Sequence, residues 1–381
     1  MTLHTPSRLN TGSYKWDSRP GVLPLWVADM DFATAPCIIE ALRRRVDHGV
    51  FGYTLVTPDY YDALTHWFAT RHDYHFQPHQ VIYTSGVVPA ISAIIKALAA
   101  PGQGIVVQTP VYNCFFSSIR NNGCRIVENP LRRIDLPDNR FTYEIDFDHL
   151  DKVTADPDVT LLLLCNPHNP AGRLWRPDEL ARLSQICKRN NVQVISDEIH
   201  CERTAPGTSY TPYATIDPQA IVCLSPSKAF NTAGLQIANI ICPTPETRAL
   251  SDRAININEV CDVNPFGVEA LKAAYTLQGE EWLAQIRHVI WQNYNTLTTF
   301  FARHLPQCPV ALLEATYLVW VDIRVLHKSA DTLEHELLDR ADLWLNPGTM
   351  YGTDGYMRIN IACAPALLDE ALRRLAAALT H

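Results

Sequence analysis

From residue 81 onward the chain alternates short apolar runs with helix-length segments, and this alternation restricts the fold more than any other feature. Runs at 81–84, 104–108, 124–127, 159–165, 192–196, 221–224 and 237–241 read as strands. Most are apolar on both alternating faces, as expected of strands buried on two sides. Helices are predicted between them, notably over 87–99 and 177–190. Strands that alternate with helices predict an α/β fold with a largely parallel sheet. Such sheets bind ligands along the carboxyl ends of their strands.

Five residues fall just past those ends: Gly86, Tyr112, Asn169, Asp197 and Lys228. A lysine at the mouth of a buried strand is badly placed for a solvated charge. It is well placed to lose its proton and act as a nucleophile. Together the five suit pyridoxal 5′-phosphate, which requires an amine for a Schiff base, a carboxylate at its ring nitrogen and a phosphate cup. Lys228 supplies the amine, and Asp197 would keep the ring nitrogen protonated. Tyr112 offers a ring to stack and Asn169 an amide for the ring hydroxyl. Gly86 and Val87 open a helix whose free N–H groups suit a phosphate. Ser225 and Ser227 would add hydroxyl donors.

The rest of the chain frames this site. Its 381 residues suffice for more than one domain, and 47% hydrophobic with 19% charged residues is a globular composition. A net charge of −8 leaves no basic excess for nucleic acid. No apolar run approaches membrane-spanning length, and residues 1–10 lack the apolar core of a signal peptide. The 11 cysteines are scattered without a C-x-x-C pair, which fits reduced thiols in the cytoplasm. The histidine-rich stretch 71–79 matches no metal-ligand spacing, so no metal is expected. Residues 1–40 carry Trp16 and Trp26 without clear periodicity and read as an arm wrapped on the protein. A long helical region, 265–304, is expected to break near Gly279. The expected divisions are an arm and part of a small domain at 1–45, a large cofactor-binding domain at 46–275, and a smaller α+β domain at 276–381.

Six motifs, in order, carry a resemblance: Ser85-Gly86, Pro110-Val111-Tyr112, Asn166-Pro167-His168-Asn169-Pro170-Ala171-Gly172, Ser196-Asp197-Glu198-Ile199-His200, Ser225-Pro226-Ser227-Lys228 and Met357-Arg358-Ile359-Asn360. They resemble the fold-type I pyridoxal-phosphate enzymes of the class I/II aminotransferase superfamily. Val27-Ala28-Asp29-Met30-Asp31-Phe32, Gly49-Val50-Phe51-Gly52-Tyr53 and Thr316-Tyr317-Leu318-Val319-Trp320-Val321-Asp322 resemble its MalY/PatB-type cystathionine β-lyase branch.

That resemblance implies a homodimer with shared active sites, in which Tyr53 reaches the partner's cofactor phosphate. It implies that Arg358 clamps the substrate carboxylate, with Tyr112 and Asn169 beside the substrate. Three positions depart from the common aminotransferase pattern. Gln236 stands where an arginine grips phosphate, His200 where a tyrosine is common, and Val87 where a hydroxyl is common. The first two fit the lyase branch better. The implied activity is β-elimination on a sulfur amino acid such as L-cystathionine, giving a thiol, pyruvate and ammonia. An aminotransferase uses the same residues up to the loss of the α-proton. A regulatory role, restraining a transcription activator as one branch member does, is the alternative of another class.

Overall fold

A computed structural model describes residues 3–258 and 262–379. Its centre is a seven-stranded sheet in the spatial order Val81–Thr84, Ala238–Ile241, Ile221–Leu224, Gln193–Asp197, Val159–Cys165, Gly104–Val107 and Arg125–Glu128. Ala238–Ile241 runs antiparallel to both neighbours, and the remaining pairs are parallel. The apolar runs owe their continuity to burial on both faces. Leu161 and Leu163 face the helices Val87–Leu98 and Asn113–Asn121, whereas Leu162 and Leu164 face Pro177–Arg189. A polar residue in either set would lose its water without gaining a partner.

A second sheet of six strands runs Asn346–Pro347, Tyr356–Asn360, Leu318–Asp322, Val310–Ala311, Arg140–Glu144 and Arg132–Leu136. The hairpin at its far end was not expected from the sequence. Its strands are charged and only partly buried, so they contain no apolar run. The helices Phe147–Thr154 and Pro245–Asn256 also went unpredicted.

The expected helical break lies slightly earlier than Gly279. One helix ends at Ala274, and Leu277–His304 begins after Thr276, whose hydroxyl caps Gly279 N at 3.3 Å. Gly279 sits in that first turn because a Cβ there would collide with the Ala274 carbonyl.

The N-terminal arm wraps the protein. Leu23–Pro24 pairs in parallel with Leu343–Trp344, and Trp26 stacks on Trp344 with ring centroids 4.1 Å apart. The Lys15 side chain is fully buried, which its ion pairs with Asp31 (2.9 Å) and Asp29 (3.6 Å) make tolerable. Arg8 adds bonds to both carboxylates. All ten cysteines among the described residues are free; Cys261 lies outside them. No helix among the described residues is long and apolar enough to cross a membrane.

Candidate active site

The parallel strands deliver their chemistry to one edge. Asp197 closes the strand Gln193–Asp197 and pairs across the sheet with Cys165 and Cys223, so three strand ends meet there. Past the Val159–Cys165 strand the chain turns through Asn169. Past Ile221–Leu224, the short helix Ser227–Phe230 carries Lys228. Gly86 caps the helix Val87–Leu98 without a side-chain hydrogen bond, leaving its first N–H groups open.

One cavity gathers most of the expected residues. Gly86, Val87, Tyr112, Asn169, Asp197, His200 and Lys228 all line it. Arg358 reaches its edge from the second sheet, donating from one guanidinium nitrogen to Asn169 Oδ1 at 3.2 Å. The other terminal nitrogen donates to the Trp26 carbonyl at 2.8 Å, and the guanidinium lies 4.9 Å from the Tyr351 ring centroid. Arg358 Nε is buried without a hydrogen-bond partner among the described residues. Ser225 and Ser227 stand beside the cavity rather than in its wall. Ser225 Oγ donates to the Ile237 carbonyl at 2.6 Å and accepts from Ser227 N at 3.1 Å. Tyr53 is elsewhere, 95% exposed on a loop that also exposes Phe51 and Leu55.

The electrostatics are those of a site short of a partner. Burial pushes the Asp197 carboxyl up to about 7, against a hydrogen bond from Ile199 N at 3.1 Å and the nearby charge of Lys228. Burial, then Arg358, pull the Lys228 amine down to about 8. Its Nζ donates to the Ala28 carbonyl at 2.6 Å. Burial likewise holds His200 well below its ordinary value, helped by Lys228, Arg358 and Arg203, so its ring is neutral. His200 Nδ1 has no hydrogen-bond partner among the described residues. Glu198 turns away from the cavity, taking bonds from Ser196, Tyr210 and Tyr213 N.

These observations fit pyridoxal 5′-phosphate. A protonated pyridine nitrogen would give Asp197 the cation it lacks, and the open N–H groups after Gly86 would receive phosphate. The sequence places the arm near Trp26 to Phe32 at the site as one of the segments that decide between lyase and aminotransferase, without saying which of its groups meet the cavity. Ala28 lines the cavity, as do Cys165 and Ile199 from the strand-end motifs. Asn360, which helps hold the arm, falls within a motif already quoted, and Asn231 lies three residues past another, but no spacing rule pointed to either.

The aminotransferase class I and II family matches residues 20–375. The chain is 39% identical to cystathionine beta-lyase PatB of Bacillus subtilis, with 98% of each chain covered. It is 32% identical to Protein MalY of Escherichia coli, over 93% of this chain and 90% of that one. Among solved structures it is similar to cystalysin of Treponema denticola, which contains pyridoxal 5′-phosphate, at 34% identity and a TM-score of 0.94 over 99% and 98% of the two chains. A sheet edge that gathers Lys228, Asp197 and Asn169, and a match over nearly the whole chain, agree: this protein belongs to the aminotransferase class I and II family and groups within it with the MalY/PatB-type cystathionine β-lyases.

Proposed function

We propose that this chain is a pyridoxal-phosphate-dependent carbon–sulfur β-lyase that cleaves L-cystathionine and related thiol amino acids. The observation that carries the reading is one cavity lined by Lys228, Asp197 and Asn169, with Arg358 bonded to Asn169 at its edge. When bound, pyridoxal phosphate supplies a carbonyl for the substrate amine and a sink for the electrons of the Cα–H bond. Arg358 pairs with the substrate carboxylate through its planar fork and so sets which Cα bond faces the amine. Lys228, already drawn toward neutrality by its surroundings, takes the α-proton. Asp197 would pair with the ring nitrogen and keep it protonated, and neutral His200 adds no competing cation. The Cβ–S electrons leave with the thiolate, which takes up a proton as free thiol. The remaining three-carbon fragment hydrolyses to pyruvate and ammonia.

The working unit in this reading is a homodimer in which Tyr53 would hold the partner's cofactor phosphate. The exposed, partly apolar loop around Tyr53 supports this. The test is to give loaded enzyme L-cystathionine without a 2-oxo acid and follow thiol and pyruvate together. Equal formation over many turnovers is expected. Absence of both, with conversion of added 2-oxo acids to amino acids, would replace the lyase by an aminotransferase. Lys228→Ala should abolish turnover.

A further inference from the structure

Five consecutive carbonyls of the N-terminal arm, residues 26–30, each accept a side-chain hydrogen bond. Side chains rarely hold a backbone this completely, since most protein hydrogen bonds join backbone to backbone. The donors come from both halves of the site. Asn231, three residues after Lys228, donates to the Met30 carbonyl at 2.9 Å and to that of Phe32 at 2.8 Å. Its Oδ1 accepts from Met30 N at 3.0 Å. Its backbone sits at φ 57°, in the left-handed region that asparagine tolerates. Asn360, two residues after Arg358, is fully buried and donates to Val27 and Asp29 at 2.5 and 2.7 Å. Its two bonds therefore bracket Ala28. The Ala28 carbonyl takes Lys228 Nζ and, at 3.0 Å, the hydroxyl of Tyr317.

We propose that residues 26–30 form a positioning strap: Asn231 and Asn360 fix where Ala28 presents its carbonyl oxygen, and that oxygen aims the Lys228 amine. The carbonyl is an acceptor only, so it restrains the amine without competing for the proton. One amide reports on the lysine loop and the other on the arginine strand. The strap thereby sets the amine and the carboxylate fork against a common backbone. Asn231, Asn360 and Tyr317 are positioning residues and need touch no substrate. This assignment rests on Lys228 being the base of the proposed reaction.

Two readouts test it in Asn360→Ser and in Asn231→Gly, which keeps the left-handed backbone. The first uses the full chain freed of cofactor. Trace acetylation of Lys228 by acetic anhydride is followed against pH by peptide mass spectrometry. The acceptor favours the charged amine, so its loss should lower the titration midpoint by about one unit. The second uses loaded enzyme and α-deuterated L-cystathionine. Turnover should fall about ten-fold or more at near-constant KM, with a larger isotope effect, because proton removal becomes slower. Unchanged midpoints and isotope effects in folded variants would overturn the strap. Should either variant fail to fold, Tyr317→Phe, which removes only one hydroxyl from the Ala28 carbonyl, is read by the same two measurements. If wild-type enzyme turns over no thiol amino acid, the lyase reading fails, while the acetylation midpoint still decides whether the strap aims Lys228.

Discussion

Asp197 and Glu202 lie five residues apart, and both side chains are buried, yet their acidities move in opposite directions. Burial alone would push both up. It carries Asp197 to about 7, because Ile199 N is its one hydrogen-bond donor among the described residues. Glu202 feels the same burial, but bonds from His72 and Trp67 and the charge of Arg71 hold it down at about 2. Trp67 Nε1 lies 2.6 Å from one of its oxygens, and Arg71 donates to the other at 3.1 Å. The fold therefore completes Glu202 by itself and leaves Asp197 for a ligand to complete. His72, Cys201 and Glu202 also stand close enough to suggest a metal site. Glu202's oxygens are already taken there, and the Arg71 charge opposes a second cation, so the group reads as an ion-pair node.

The largest effect that would break this contrast is Asp197→Asn. Loss of a charge aimed at a buried cation should lower kcat/KM roughly 10²- to 10³-fold. The cofactor-free chain should melt no earlier than wild type, since a lone buried carboxylate is a burden to the fold. Kinetics on loaded enzyme and melting of the free chain check the two halves. A large drop in melting temperature would place Asp197 in the same class as Glu202.

Glu202→Gln should do the reverse. It leaves His72, and Arg71 with its half-exposed partner Glu280, facing a neutral amide in a buried setting. Such removals cost about 3 kcal/mol. Denaturant unfolding should show that loss, while the folded fraction keeps its turnover number. A collapse of turnover with unchanged stability would mean that the node belongs to the active site.

The same contrast explains what the sequence disclosed. Asp197 was legible because a polar residue ending an apolar run announces a sheet edge. Gly86, Tyr112, Asn169 and Lys228 were legible for the same reason. The ion-pair node was not, because Arg71 and His72 lie some 130 residues from Glu202 in the chain. Both close the helix Pro58–His72, and local periodicity does not say what that end of the helix meets. The hairpin 132–144 was missed for a different cause. Its turn residues Asp138 and Asn139 both take positive φ, the geometry that tight hairpins favour, but charged, partly buried strands hid it. The arm's wrapping could be read from its tryptophans. Its hydrogen bonds to Asn231 and Asn360 are long-range and leave no local pattern.

Acidity should separate the two carboxylates in the cofactor-free chain. A carboxyl raised in the folded state binds its proton more tightly there than in the unfolded chain. Asp197 therefore favours folding at low pH, and that contribution is lost as pH rises from about 4 through 7. Glu198, which burial pushes up to about 8, adds in the same direction. Glu202 is depressed, so its contribution is complete above its unfolded value near 4.5 and is lost as pH falls toward 2. Each group changes stability by about 1 kcal/mol per pH unit within its window. Burial holds His168 at about 4 and His200 well below its ordinary value, and both act the other way up to about pH 6.5. The readable quantity is therefore the difference between variants: from pH 5 to 7 wild type should lose stability relative to Asp197→Asn. A constant difference would mean that Asp197 is already paired within the fold.

The smallest expected effect sharpens the account of the node. Arg71 also contacts Glu280, whose side chain is about half exposed (48%). Water there screens the pair and can replace it. Arg71 is held regardless by Glu202 and by the Trp67 ring, 4.5 Å from its guanidinium carbon. Glu280→Gln should therefore cost less than about 1 kcal/mol. In the double variant with Glu202→Gln the two losses should exceed their sum, because Arg71 then loses both anions at once. Strict additivity in urea unfolding would mean that Arg71 does not link the two carboxylates. A loss from Glu280→Gln equal to that from Glu202→Gln would mean that the node draws its stability from the surface pair, and burial would no longer explain the low acidity range of Glu202.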